Sequence, residues 1–403
     1  MKKKVLITGG SGLLGINIAV LMRDNWDIHL LYRSRIVVMD KISVSCVDLT
    51  DFDELITHVE NTKPDIIIHA AGLTNVEKCE DRYFDAYESN VVASRNVAKI
   101  CKVLRIKLVH ISTDHFSDSN IQKSDESQIS IPVNNYAKTK LDAEYEIIKY
   151  SSDPLIVRTN FYGWGHKFRT SFSDFIITSL RKKENITLFE DVFYSPIYVG
   201  ELIRSIDELI ETEQSGIFNI VGNERISKFE FGCQVAKVFD LDQSLISPGS
   251  IADHEGLSPR PLDMSMSNDK LKAASIIILD TIASLELLKQ QEFEGVATTI
   301  KQSVTCEEFS QIHYGKQSID EDDINAVINT LNGNFLTQGP TVKIFEEKVA
   351  AFVGAKYAVA VSNWTCGLHI TCLAAGVGPG DTVITSPLSF VASSNCAVFS
   401  GAI

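Results

Sequence analysis

The sequence has no surplus of basic residues. Its 403 residues include 38 Lys and Arg against 52 Asp and Glu, which gives a formal net charge of −14. Proteins that bind nucleic acid without regard to sequence gain their affinity from cationic side chains on phosphates. We therefore predict no nucleic-acid partner, although a few local cations could still hold an anionic substrate.

Paired cysteines and a long apolar run are also missing. The eight cysteines are scattered and never occur as Cys-x-x-Cys, so we predict neither a metal site nor a disulfide framework. The stretch closest to a membrane span, residues 358–378, carries no formal charge but contains many polar side chains and does not have the pattern of a membrane-spanning helix. We therefore predict no membrane span and a cytoplasmic location.

Strand and helix patterns alternate through the first part of the chain. This alternation predicts an α/β fold, a Rossmann-type doubly wound parallel sheet, with a smaller substrate-binding lobe built mainly from residues 155–270. We predict a first domain at 1–304, a linker at 305–311 and a second segment at 312–403. The predicted strands cover residues 4–8, 28–32, 42–47, 64–69 and 108–112, and the predicted helices cover 13–23, 51–60 and 85–104.

Three glycines, Gly9, Gly12 and Gly15, lie between the first predicted strand and the first predicted helix. At this spacing the first permits a tight turn, the second lets the backbone approach a pyrophosphate, and the third lets helix and strand pack closely. The helix N-terminus supplies N–H groups to the phosphates. The predicted cofactor contacts are Gly9, Ser11, Gly12, Leu13, Leu14, Gly15, Arg33, Asp48, Leu49, Ala70, Ala71, Gly72, Tyr136 and Lys140.

The end of the second predicted strand indicates which dinucleotide binds. An NAD enzyme usually has an acid there for the ribose 2′-hydroxyl, whereas this chain has Arg33 and Arg35. A guanidinium suits a 2′-phosphate. We therefore predict NADP(H); NAD(H) is the alternative if these arginines are ordinary solvated side chains.

A tyrosine and a lysine four residues apart, Tyr136 and Lys140, are expected on one face of a helix. Thr113 follows a buried strand, at the edge where functional side chains of a parallel sheet gather. A phenol with a pKa near ~10 is a poor acid at neutral pH unless a cation lowers that pKa. We predict that Tyr136 protonates a carbonyl oxygen, assisted by Lys140 and Thr113. Ser112 is predicted to be structural, and His115 either lines the pocket or is satisfied locally.

The motifs TGGSGLLG, PDIIIHAAGLT, VHISTD and YAKTK occur in this order. Together they resemble the extended short-chain dehydrogenases and, more narrowly, the dTDP-4-dehydrorhamnose reductase family, over roughly residues 1–300. The resemblance implies reduction of a nucleotide-linked 4-keto-6-deoxy sugar, in deoxysugar or surface-polysaccharide biosynthesis. It gives Thr113, Tyr136 and Lys140 as the catalytic set and a homodimer as the usual assembly.

The resemblance also implies contacts with the substrate. Arg260 is expected at the nucleotide diphosphate, and Thr74 and His115 are expected in the pocket, where the family usually has tyrosine at the position of His115. Two other functions stay open: an epimerase or dehydratase with tightly bound NAD, and a non-catalytic regulatory or scaffold subunit. Charge alone adds the candidates Arg158, Lys167 and Arg169.

Residues 312–403 carry a second resemblance. The motifs YGKQSI, FLTQGP, GAKYAV and PGDTVI resemble the start of sugar-nucleotide aminotransferases of the DegT type, which use pyridoxal phosphate. In that family Ser362–Leu368 would cradle the phosphate and Phe390 would stack on the ring, but Trp364 stands where the family has glycine. The Schiff-base lysine of such enzymes comes later in the chain. We therefore expect no functional pyridoxal phosphate, and we expect this segment either to associate with a partner chain or to be poorly ordered.

Overall fold

The computed structural model describes residues 2–33, 35–116, 121–254, 256–308, 319, 321–337, 339–386 and 389–403. It divides into two compact units, Met1–Gln311 and Ile312–Ile403.

The elements have the following bounds. The strands are β1 Lys4–Thr8, β2 Asp27–Tyr32, β3 Arg35–Val37, β4 Ser43–Cys46, β5 Ile66–His69, β6 Lys107–Ile111, β7 Leu155–Arg158, β8 Phe161–Tyr162, β9 Ile186–Phe189, β10 Phe193–Tyr194, β11 Ile197–Tyr198, β12 Gly216–Asn219, β13 Ile226–Ser227, β14 Ile246–Gly249, β15 Asp263–Met264 and β16 Val304–Glu308. The helices are α1 Leu13–Met22, α2 Phe52–Thr62, α3 Val76–Asp81, α4 Tyr83–Tyr87, α5 Ala93–Leu104, α6 Asn135–Tyr150, α7 Phe172–Arg181, α8 Val199–Glu211, α9 Lys228–Val238, α10 Asp269–Ala273, α11 Thr281–Phe293, α12 Val296–Gln302, α13 Glu321–Leu331, α14 Pro340–Val353, α15 Trp364–Ala374 and α16 Ala392–Phe399. A π-helical turn, Glu88–Val92, joins α4 to α5, and short 3-10 turns cover Gln243–Leu245 and Ile251–Asp253.

Seven strands of the first unit form one sheet in the order β12-β7-β6-β5-β1-β2-β4. Every neighbouring pair in this order is parallel. The chain leaves β1 towards β2 and β4 on one side, then returns to β5 and continues outward on the other. Ligands of such sheets bind outside the carboxyl ends of the strands at this reversal. Thr8 and His69, the last residues of β1 and β5, therefore mark the expected cofactor crevice.

Side chains alternate along each strand and enter two cores. Leu6 packs in one cluster with Val59 of α2 and Ile100 of α5. Ile7 packs on the opposite face with Leu202 of α8. Because helices cover both faces, every residue of β5 and β7 is buried, which is why these strands are continuous apolar runs. The predicted Rossmann-type fold class is confirmed.

A smaller lobe follows β7. It contains the three-stranded sheet β13-β10-β15 and the two-stranded sheet β14-β9, with α7 and α9 packed together beside them. The range 155–270 also supplies β7 and β12 to the main sheet. The small lobe therefore grows out of the same continuous stretch of chain that completes the large sheet.

The predicted linker at 305–311 is wrong at its start. Val304–Glu308 forms β16, which pairs antiparallel with β3, with Val304 opposite Val37 and Glu308 opposite Arg35. Val304 is buried in the main core. Sequence reasoning missed this strand because its partner lies near the opposite end of the first unit in sequence, so no local turn or hairpin signal indicates the pairing.

The regular elements in the described residues of the second unit are the helices α13–α16. Asn363 caps α15 by accepting from the Cys366 N–H at 3.0 Å, and Trp364, the first residue of that helix, is exposed. Phe352 and Ile384 are more than nine-tenths exposed. Across the described part of the chain, no helix combines the length and apolarity needed to cross a membrane.

Candidate active site

Glycines shape the turn after β1. Gly9 has a φ of +71°, and a Cβ there would lie 2.8 Å from the backbone nitrogen of Ala71. A Cβ on Gly15 would lie 2.7 Å from the Gly9 carbonyl oxygen. Both positions therefore require glycine. Gly12 is the N-cap of α1, so the first N–H groups of that helix have no carbonyl partner within it and are available to an anion.

A buried chain of hydrogen bonds fixes the carboxyl end of β5. The Ser94 hydroxyl donates to the Asn90 carbonyl at 2.6 Å, so it accepts from His69 Nε2 at 2.9 Å. His69 Nδ1 then accepts from the Thr8 hydroxyl at 2.7 Å, which itself accepts from the Ala71 N–H. This arrangement needs a neutral imidazole, and burial lowers the pKa of His69 to about 3. The loop after β5 is thereby held against the glycine turn.

The side chain of Asn90 ties the same loop to α6. Its Oδ1 accepts from the Leu73 N–H at 2.7 Å, and its Nδ2 donates to the Leu73 carbonyl at 3.1 Å and to Thr139 Oγ1 at 2.9 Å. A Cβ on Gly72 would lie 2.7 Å from Asn90 Oδ1, so glycine is needed there. Sequence reasoning missed Asn90, because a polar residue inside a helical pattern does not reveal a partner on another element.

Two arginines lie near the end of β2. Arg33 and Arg35 are exposed, and neither guanidinium is ion-paired with a carboxylate of the described residues. The guanidinium carbon of Arg35 lies 5.2 Å from the ring centre of Phe168. The loop that carries Phe168 also reaches the glycine turn, since His166 Nε2 of this loop lies 3.0 Å from the Ser11 carbonyl oxygen. Positive charge is therefore available at the edge where a 2′-phosphate would bind.

The turn after β4 holds the predicted contacts Asp48 and Leu49, both half-buried. Asp48 Oδ1 accepts from the N–H and the hydroxyl of Thr50 at 2.9 and 2.7 Å. The Leu49 carbonyl accepts from Asn96 Nδ2 at 3.1 Å. The Asp48 carboxylate thus braces its own turn, and Asn96 anchors that turn to α5.

The predicted catalytic residues meet at the carboxyl end of β6. The Tyr136 phenol is buried beside the Thr113 hydroxyl. Burial raises the pKa of Tyr136 to about 12, although the neighbouring Thr113 hydroxyl and the charge of Arg169 lower it. Lys140 Nζ donates to the Ile111 carbonyl at 2.7 Å, and burial lowers the pKa of Lys140 to about 8. The sequence predicted that a nearby cation would lower the pKa of this phenol. In the structure the pKa is raised instead, because desolvation of the phenolate outweighs the favourable contacts.

A buried ion pair between Arg158 and Glu144 lies next to these predicted catalytic residues. Arg158 Nε and Nη2 donate to Glu144 Oε1 and Oε2 at 3.0 and 2.7 Å, and Ser112 Oγ donates to Glu144 Oε1 at 2.5 Å. The pair joins α6 to β7. Arg158, a candidate for anion binding from its charge, is therefore occupied by a structural partner, and Ser112 has the bracing contact expected of a structural residue.

The predicted substrate contacts come from several separate elements. The His115 ring is edge-on to Tyr136, with ring centres 5.2 Å apart and an interplanar angle of 83°. Arg260 forms an ion pair with Glu77 of α3, and Arg169 donates to Thr74 Oγ1. His115 thus lies beside the phenol, whereas the guanidinium of Arg260 has a carboxylate partner. Lys167, the last candidate from charge, lies 4.8 Å from the ring centre of Phe168.

The site has the features that a dinucleotide requires. The turn at residues 9–15 has no room for side chains at Gly9 and Gly15, it opens onto the start of a helix, and it lies at the reversal of strand order. No group of His, Cys, Asp and Glu suited to a metal ion occurs among the described residues. The glycine turn and the start of α1 therefore fit the phosphates of a dinucleotide.

Residues 2–289 match the family described as the RmlD substrate binding domain. The chain belongs to this family. Residues 317–403 match the DegT/DnrJ/EryC1/StrS aminotransferase family. Both resemblances predicted from the motifs are confirmed.

Three similar proteins illustrate the range of this family. A probable low-salt glycan biosynthesis reductase of Haloferax volcanii is 26% identical over 70% of this chain and 96% of its own length. Methionine adenosyltransferase 2 subunit beta of Xenopus laevis is 28% identical over 68% of this chain and 83% of its own length. The crystal structure of dTDP-4-dehydrorhamnose reductase from Bacillus anthracis in complex with NADP is 27% identical, covers 72% of this chain and all of its own, and has a TM-score of 0.65.

Proposed function

We propose that the first unit is an NADPH-dependent reductase of a 4-keto-6-deoxy nucleotide sugar, acting in deoxysugar or surface-polysaccharide biosynthesis. The observation that carries the proposal is the placement of the Tyr136 phenol beside the Thr113 hydroxyl at the carboxyl end of β6, with Lys140 one helical turn along α6. A proton donor beside a dinucleotide cradle suits carbonyl reduction. The likeness to a dTDP-4-dehydrorhamnose reductase structure that holds NADP supports both substrate class and cofactor.

In this mechanism a bound nicotinamide cofactor supplies hydride to the carbonyl carbon of the sugar. Tyr136 donates its phenolic proton to the carbonyl oxygen, so that the C=O group becomes an alcohol, and solvent then reprotonates the phenolate. Thr113 orients the carbonyl oxygen towards the phenol. Lys140, charged below its pKa of about 8, stabilises the developing phenolate and holds ribose hydroxyls.

The test is to mix the purified chain with NADPH and a dTDP- or UDP-linked 4-keto-6-deoxy sugar. We expect one NADPH to be oxidised for each keto sugar reduced. Product formed without net oxidation would instead identify an epimerase with tightly bound cofactor. A second candidate is a non-catalytic subunit, favoured by the likeness to methionine adenosyltransferase 2 subunit beta. It predicts binding of cofactor with no turnover.

Replacing Arg33 with alanine is expected to weaken NADPH binding about 10- to 100-fold, since a charged hydrogen bond to the 2′-phosphate contributes about 1.5–3 kcal/mol. Arg33 is exposed, so folding should be unaffected. Fluorescence titration measures the affinity, and NADH, which lacks the 2′-phosphate, serves as the internal control. Equal losses for both dinucleotides would contradict the assignment of Arg33.

NADPH affinity is expected to fall as pH rises above about 8, because Lys140 loses its charge there. The anionic cofactor binds better to the protonated lysine. NADPH affinity should therefore be full below this pKa and fall by up to about tenfold per pH unit above it. The test is to measure NADPH affinity at several pH values between about 6.5 and about 9.5, a range that spans this pKa. A Lys140→Met variant should bind weakly with no such slope; an unchanged slope in the variant would assign the titration to another group.

A further inference from the structure

The first residue of α9 is a lysine in an unusual place. Lys228 follows Ser227, whose hydroxyl accepts from the Glu230 N–H at 3.0 Å while the Ser227 N–H donates to Glu230 Oε2 at 2.7 Å. This capping box forms the helix start without help from the Lys228 side chain. A cation at a helix N-terminus opposes the helix dipole. The position of Lys228 therefore costs stability, and helix formation does not explain it.

The Lys228 ammonium is held by aromatic rings. Its Nζ lies 3.2 Å from the ring centre of Tyr194 and 5.1 Å from that of Phe172. Within the described residues, Nζ has no hydrogen-bond acceptor and no carboxylate in ion-pair distance. The side chain is half-buried, and burial lowers the pKa of Lys228 to about 8. An ammonium has three donors, and its partial burial without a protein acceptor is unfavourable.

Lys228 shares its charged neighbours with the pocket beside Tyr136. Asp114 and Arg260 act electrostatically on both Lys228 and His115, and the His115 ring contacts that of Tyr136. Asp114 Oδ2 accepts from Asn160 at 2.6 Å, and Arg260 is paired with Glu77. These two groups have direct partners of their own. Among the described residues, Lys228 is thus a cation near this pocket that has neither an anionic partner nor a hydrogen-bond acceptor in contact with it.

We propose that Lys228 binds a phosphate oxyanion of the nucleotide diphosphate of the substrate. This assignment rests on the proposed nucleotide-sugar reduction and adds to it a determinant of substrate affinity. Sequence reasoning missed Lys228 because a lysine at a helix start is indistinguishable from a solvated surface residue.

The experiment compares the full-length parent chain with Lys228→Met, Lys228→Arg and Lys237→Met. Methionine keeps the apolar stem and removes the charge. Lys237 lies exposed near the end of the same helix and provides the matched control. The probes are dTDP and UDP, their glucose esters and their glucuronate esters, titrated by calorimetry in the presence of NADPH, whose own affinity is measured separately.

If Lys228 binds the diphosphate, Lys228→Met should weaken every probe about 10- to 100-fold. Weakening of the glucuronate esters alone would place Lys228 at a sugar carboxylate and overturn the diphosphate assignment. Lys228→Arg should recover most of the loss, and Lys237→Met and the NADPH affinity should stay at parent values. Unchanged binding of all probes by Lys228→Met would overturn the assignment of Lys228 alone. A parent chain that binds NADPH but none of the probes would overturn both this inference and the nucleotide-sugar proposal.

Discussion

A Tyr136→Phe variant is expected to reduce kcat for keto-sugar reduction by about 10²- to 10⁴-fold, the usual contribution of a positioned proton donor. Phenylalanine keeps the buried ring and its edge-on contact with His115. It removes only the hydroxyl that lies beside Thr113. The larger loss should therefore appear in the chemical step, measured as single-turnover oxidation of bound NADPH, with cofactor affinity weakened by no more than about tenfold, the contribution of one neutral hydrogen bond.

Tyr145→Phe is the matched control, because Tyr145 lies on the same helix and is 60% exposed. It should turn over at the parent rate. If Tyr136→Phe reduced the keto sugar as fast as the parent, another group would have to donate the proton and the proposed mechanism would fail. A loss of NADPH binding in Tyr136→Phe, without a slower chemical step, would limit the role of this residue to the cofactor.

Replacing Glu144 with alanine is expected to lower the free energy of unfolding by about 3–5 kcal/mol, the cost of leaving one partner of a buried ion pair alone. The Glu144 and Arg158 side chains are 2% and 9% exposed. The substitution leaves the Arg158 guanidinium buried without an anion and removes the acceptor of the Ser112 hydroxyl. Urea unfolding of the parent and the variant measures the difference.

A surface pair on another helix provides the comparison. Arg204 and Glu208 of α8 form an ion pair with side chains 40% and 42% exposed, so Glu208→Ala should cost only about 0–1 kcal/mol. A double Glu144→Met, Arg158→Met variant should be more stable than Glu144→Ala, because it buries no unpaired charge. Similar losses for Glu144→Ala and Glu208→Ala would show that the buried pair contributes no more than a surface pair.

The local sequence pattern was sufficient to predict much of the proposed cofactor-binding site. Gly9 and Gly15 could be predicted because the turn and the helix start follow each other along the chain, so the spacing of the glycines already fixes their geometry. Tyr136 and Lys140 could be placed on one helix face because the α-helix repeats every 3.6 residues. The alternation of apolar runs with helical patterns likewise led to the parallel sheet.

Residues whose partners are distant in sequence could not be predicted in this way. Asn90 joins the loop after β5 to α6, Glu144 holds Arg158, and β16 pairs with β3. Each contact depends on the order of strands in the sheet and on how helices cross it. Neither is encoded in the pattern of a short window, since the same polar residue in a helix could equally face solvent.

The fold class, the glycine turn and the spacing of Tyr136 and Lys140 could be inferred from the order of residues alone, because these follow from local backbone geometry and hydrophobic periodicity. Folding was needed to show that Glu144 pairs with Arg158, that burial raises the pKa of Tyr136, and that Lys228 lies near the same pocket without an anionic partner. Burial and ion pairing are properties of groups brought together by folding, and the charge of a side chain acquires its role only from what surrounds it.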